Sequence, residues 1–230
     1  MANPPPGLPP GAQLLPATAI EGKVPGIVAD VFSIQRDLDF ARQCAAGYLQ
    51  RTAFDDDGQP LQQTEEPDRT LLAEALWSAA VIAYRRAFAT GKAHIVPKEQ
   101  RFDIKGLRAH VFTPEQTELD DQLRGMADQH VAHRVSDLEQ MKFQVTLTPP
   151  PHPRAVAALG PWMLHMIGPT TDVAEGMIGI CDVLLPILAQ EMQPFYNAMA
   201  QKLSDPEQLD RLYANAGYPG QNSAAGTDSA

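Results

Sequence analysis

Arg124 precedes His130 by six residues in the stretch Gln122 to Val135, QLRGMADQHVAHRV, and His133 follows three further on. An imidazole titrates near ~6.5, so one of these histidines could accept or donate a proton at a phosphodiester. An arginine beside it could stabilise charge developing on phosphate oxygens. The interval is therefore a phosphate-chemistry spacing, although a short and permissive one. The HxxH pair could also present two imidazoles to one metal ion. Such a site needs a third ligand, and His94, His110, His152 and His165 stand at no recognisable spacing from the pair, so neither a metal nor a cofactor is expected.

The helix that carries these residues has a readable start. Thr113 caps it, Pro114 occupies the first turn and Gln116 completes a capping box, and the pattern continues to about Val135. On its wheel Leu119, Leu123, Met126, His130 and His133 share one stripe, which turns both imidazoles toward the core or a partner. Arg124 points ~120° away from His130. With Asp120 four residues before it and Asp128 four after, it reads as part of a solvated ion-pair ladder worth a few tenths of a kcal/mol. The competing reading of the histidines is a hydrogen-bonded pair within a core or an interface.

A second helix is expected from about Pro67 to Thr90, closed by Gly91. Leu72, Leu76, Ala79, Ala83 and Ala87 form one apolar stripe and Trp77, Val81, Tyr84 and Phe88 another, leaving a thin polar strip at Glu74, Ser78 and Arg85. A helix wet on so little of its surface belongs at the centre. Arg86 falls at the edge of the first stripe, where its guanidinium should be partly buried and require an acceptor. Arg86 and Arg134 are thus the further cations that could hold RNA or a protein partner near the histidines.

The remaining elements frame these two. A helix from Asp30, as cap, to about Arg51 places Val31, Ile34, Leu38, Ala41, Ala45 and Tyr48 on a narrow seam. The acidic stretch FDDDGQPLQQTEEPD fails as a calcium loop, because Gly58 at the loop glycine would put Ala53 and Thr64 at chelating positions, and it reads as a solvated connection. Residues Lys92 to Thr113 form a long connection with one short helix or turn near Ile104 to His110. KFQVTLT alternates like a half-buried strand, and a second strand within Ala155 to Ile167 would complete a hairpin. A capped helix from Asp172 to Leu203, with Val173, Met177, Ile180, Leu184, Leu188, Met192, Phe195 and Met199 inward, would be ~50 Å long. The expected fold is mostly α, a four-helix up-and-down bundle with a small β-hairpin between the third and fourth helices. The division is a disordered proline-rich tail at 1–29, the bundle at 30–204 with the hairpin at about 141–167, and a short helix and flexible tail at 205–230.

A chain of 230 residues suits one sizeable core, and 44% apolar with 20% charged residues is ordinary globular usage. The net charge of −10 would repel a polyanion at long range, so any RNA contact must be local. Cys44 and Cys181 each lie in an apolar helical pattern without metal-ligand spacing and read as buried reduced thiols. The start ANPPPGLPPGAQLLP lacks the pattern of an export signal, and Met177 to Leu188 is too short and interrupted to span a bilayer. A cytoplasmic protein without a membrane contact is expected.

The succession of LWSAAVIAYRRAF on one helix, DQHVAHRVSDLEQ on the next, a strand and a long final helix resembles HEPN-type four-helix domains, over roughly Asp30 to Leu203. That resemblance implies a homodimer. It also implies, for active members, metal-independent RNA cleavage through an arginine and a histidine about four to six residues apart, which Arg124 and His130 satisfy. The chain departs from the pattern at Gly125, where a polar residue is usual. Aligning His133 instead leaves Ala127 six residues earlier, without a guanidinium. The resemblance thus favours a non-catalytic, homodimeric interaction protein with a protein partner or antitoxin. The alternative is a ribonuclease of toxin or defence type using Arg124, His130 and His133, with RNA as a partner only if that site is active.

Overall fold

The seam read along the first helix is buried as expected. In the computed structural model, which describes residues 17–61, 67–89, 97–132, 139–165 and 168–217, α1 (Lys23–Arg51) buries Val31, Ile34, Leu38, Ala41, Ala45 and Tyr48. Each large side chain so placed contributes roughly 1.5–3 kcal/mol of apolar transfer. The helix starts earlier than its sequence signals suggest, so residues 23–29 are helical instead of belonging to the tail. Asp30 is accordingly no cap. It lies inside α1, 1% exposed, and accepts the backbone N–H of Phe102 at 2.8 Å. Just before the helix, Ala17 and Gly217 exchange backbone hydrogen bonds at 2.8 and 3.0 Å, which ties the two ends of the described chain together. Residues 1–16 of the proline-rich leader lie outside the described residues.

The acidic connection is ordered at its start into a small hairpin, β1 (Ala53–Phe54) with β2 (Pro60–Leu61). Asp55 builds the turn by accepting the N–H groups of Asp57 and Gln59 at 3.0 and 2.7 Å. Gly58 takes φ +71, a left-handed conformation that favours glycine. Its carbonyl accepts the N–H of Thr171 at 3.1 Å, so the hairpin is tied to the start of the last long helix. Asp55, Asp56 and Asp57 are exposed, as expected of a solvated connection, and the local Asx chemistry adds a turn that the sequence reading did not give.

α2 (Pro67–Ala87) buries Trp77, Val81 and Tyr84, with Phe88 just beyond its end, but only the later part of its other stripe. Leu71 and Leu72 remain exposed, and so does Ile82, so this helix is less central than its composition suggests. After a 3-10 turn at Lys98–Gln100 come α3 (Ile104–Val111) and α4 (Pro114–Ala132). Asp103 caps α3 by accepting the Gly106 N–H at 2.9 Å. The capping box of α4 is formed, the Gln116 N–H donating to Thr113 Oγ1 at 3.2 Å and the Thr113 N–H to Gln116 Oε1 at 3.0 Å.

β3 (Glu139–Leu147) and β4 (Val156–His165) form the longer antiparallel hairpin, with Val145 opposite Leu159 and an irregularity between Thr146 and Leu147. α5 (Thr171–Leu203) continues through Pro186 and Pro194, and α6 (Pro206–Asn215) follows, capped by Asp205. The fold is mostly helical, with six α-helices and two small hairpins among the described residues. α1 packs on α2 and α5, and α4 packs on the same two helices, so the four surround one core. At the hairpin end, buried Tyr48 donates to the Pro169 carbonyl at 2.7 Å and packs its ring on Phe54 and Trp77.

Candidate functional site

Asp120 is the polar centre of the α2–α3–α4 corner. It lies in the second turn of α4 on the same side as Leu123 and Ala127, and all three are buried. A carboxylate there has lost its water and needs donors. Three converge on it: the Tyr84 hydroxyl from α2 donates to Oδ1 at 2.7 Å, the Arg124 Nε–H donates to Oδ2 at 3.0 Å, and Arg108 of α3 donates to the same Oδ2. The two-residue connection between α3 and α4 keeps Arg108 close to the start of α4. Burial, and then the Asp120 charge, push the Tyr84 phenol far above its ordinary value, so it remains a donor.

The cluster extends outward. Arg124 also donates through Nη2 to Asp121, and Arg108 approaches that carboxylate at 3.6 Å. One turn further along α4, Asp128 accepts Arg85 Nε–H at 2.8 Å. Three arginines thus face three aspartates. The expected ladder through Asp120, Arg124 and Asp128 is corrected: Arg124 is 24% exposed and held by Asp120 and Asp121, while Asp128 belongs to Arg85. The wheel could not show this, since two of the deciding groups, Tyr84 and Arg108, come from other elements.

Arg86 differs from its expected setting as well. Its side chain is 63% exposed, and its acceptor is Asp37 of α1 at 3.0 Å. Adjacent positions on α2 point ~100° apart, so Arg85 turns to α4 while Arg86 turns to α1. The structure therefore does not bring Arg86 and Arg124 together. Burial raises the Asp37 carboxyl while Arg86 and then Arg36 lower it, with a net upward shift.

His130 lies within α4, but its side chain is outside the described residues, as are His133, Arg134 and His94 in full. His110 is placed, its Nδ1–H donating to the Gly106 carbonyl at 2.7 Å. Cys44 and Cys181 are free and buried, as their patterns suggested. Burial, and then Asp182, push the Cys181 thiol up to about 12.

Sequence reasoning paired Asp120 with Arg124 but did not single out Asp120, Tyr84 and Arg108 as one constellation. The available signal was a tyrosine within an apolar stripe, whose hydroxyl must find a partner once buried. With the fold and this corner described, the class of protein is a mostly helical one whose best-defined polar feature is a neutralised arginine–aspartate cluster. Compared with known protein families, characterised proteins and solved structures, the chain gives no match.

Proposed function

We propose that this chain is a HEPN-like interaction protein, a four-helix up-and-down bundle that acts as a non-catalytic homodimer. The observation that carries the reading is the state of Arg124. Its Nε–H is bound to buried Asp120 and its Nη2 to Asp121, so a phosphate would have to share a guanidinium that two carboxylates already neutralise. Among the described residues the surroundings are balanced, since Arg85, Arg108 and Arg124 are matched by Asp120, Asp121 and Asp128. A phosphodiester about 4 Å from an aspartate would be repelled by roughly 1–4 kcal/mol, depending on the local dielectric. Arg124 in this setting supports the helix corner instead of a reaction. The buried free thiols fit a reducing compartment such as the cytoplasm, and no helix among the described residues is long and apolar enough to cross a membrane.

The test incubates the pure protein with labelled single-stranded and duplex RNA in the presence of a chelator, and measures its mass by light scattering. The expected results are intact RNA and a mass near twice 25.0 kDa. Cleavage that disappears in His130→Ala, while the helical signal is retained, would establish the ribonuclease alternative. A monomer at all concentrations would overturn the homodimer.

A further inference from the structure

A hollow between α1, α2 and α5 joins an apolar wall to a cation that the fold leaves unbalanced. Phe40, Gln43, Gly47 and Arg51 follow one another along α1 in steps of three and four residues, so they share one face of that helix. Leu72 and Leu76 of α2 and Ile178 of α5 line the same space, which holds about 600 Å³, within the size range of small-molecule sites. Phe40 and Leu72 are 51% and 45% exposed, so this wall is open to solvent.

Gly47 keeps the space clear. Inside a helix a glycine is destabilising relative to alanine, and here a Cβ would stand 3.2 Å from Leu76 Cδ1 and 3.7 Å from Arg51 Nη1. A longer side chain at that position would enter the hollow.

Charge sets what the space accepts. Arg42 meets both Asp39 and Asp182, and no acidic residue lines the hollow itself. Arg51 is partly buried and donates to the neutral Gly47 carbonyl at 3.3 Å, with no carboxylate partner among the described residues. Beside it the rim continues over Asp68 and Arg69, one charge of each sign, so the surplus belongs to Arg51. A partly desolvated guanidinium is best satisfied by a planar anion that accepts two of its N–H groups, as a carboxylate does. The net charge of −10 acts weakly on one such anion, because distant aspartates are screened beyond a Debye length of ~8 Å.

Length sets the rest of the ligand. Phe40 and Arg51 are separated along α1 by ~16 Å at a rise of ~1.5 Å per residue. An extended hydrocarbon advances ~1.25 Å per carbon from its ~1.5 Å bonds, so about ten to twelve carbons run from one to the other. We propose that this hollow binds an acyl carboxylate of that length, its carboxylate on Arg51 and its chain lying over Gly47 toward Phe40. The site needs one chain only and is independent of the dimeric reading above.

The experiment titrates the full chain calorimetrically with decanoate below its micelle concentration, with acetate and decyltrimethylammonium as controls. The expected result is one decanoate per chain and no measurable heat from either control. Arg51→Gln should weaken decanoate at least tenfold, since a hydrogen-bonded charge pair is lost. Gly47→Leu should weaken it as much by filling the space, and helical circular dichroism checks that both variants fold. Independently of any variant, dodecanoate carrying a terminal diazirine should label the wild-type chain on the α1 or α2 residues that line the hollow. Label concentrated on the β3–β4 hairpin or on residues 19–25 would overturn the proposal. So would unchanged affinity in either folded variant, decyltrimethylammonium binding as tightly as decanoate, or no heat from millimolar decanoate with the wild type.

Discussion

Replacing Asp120 with asparagine tests the corner most directly, because the shape is retained and only the charge and one acceptor are lost. Asp120 is 0% exposed and receives Tyr84, Arg124 and Arg108. Removing one member of a buried ion pair costs ~3–5 kcal/mol, since the remaining charge is left without its partner. Here the two guanidiniums are only 21% and 24% exposed, yet both keep Asp121 within reach, which places the expected loss near the lower bound, about 3 kcal/mol. Tyr84→Phe removes a single buried hydrogen bond and should cost ~1–2 kcal/mol. In urea, with a slope of ~2–3 kcal/mol per molar for a chain of this size, Asp120→Asn should lower the midpoint by roughly 1–1.5 M at unchanged slope. The double variant should lose less than the sum of the two, because both act on one network. A midpoint within about 0.3 M of the wild type at pH 7, followed at 222 nm, would refute the assignment of Asp120 as the centre of the corner.

Alkaline pH should expose the buried phenols. Burial raises both Tyr48 and Tyr84, so the folded chain keeps them neutral while the unfolded chain ionises them from about pH 10. Their contribution is complete below that pH and falls above it by about 1.4 kcal/mol per unit for each tyrosine, and Tyr84→Phe should remove one such share of the slope. Gly168→Ala would put a Cβ 2.7 Å from the Tyr48 ring, which is buried and cannot swing away, and should lower stability by ~1–3 kcal/mol in the same urea assay. Ellman's reagent at pH 8 should find no rapidly reacting thiol in the folded protein and two in denaturant, since Cys44 and Cys181 are both buried and only about one part in 10⁴ of Cys181 is thiolate at that pH. Arg86→Ala should change stability by less than ~1 kcal/mol, because its pair with Asp37 is largely solvated on the arginine side.

How far the chain could be read in advance differs by element. The α1 seam and the α4 capping box depend on spacings of three and four residues, which one helix imposes by its own geometry, and both are present in the structure. The inward stripe of α5 is present from Met177 to Met192 for the same reason. The other half of α2 reads less faithfully: Leu72 fits an apolar stripe, but whether such a stripe is covered depends on how many neighbours the fold supplies. The acidic turn at Asp55 to Gly58 was obscured because its carboxylate serves the local backbone, a role that charge counting misses.

For the candidate chemistry the division is sharper. Residue order alone determined that Asp120 and Arg124 would be helical neighbours and that a tyrosine would stand in an apolar stripe of another helix. Only the packing of α2, α3 and α4 decided that Tyr84 and Arg108 meet at that same carboxylate, and that Arg86 turns toward α1. Periodicity is a property of one helix, whereas a buried charge finds its donors across several, and those distances exist only once the chain has folded.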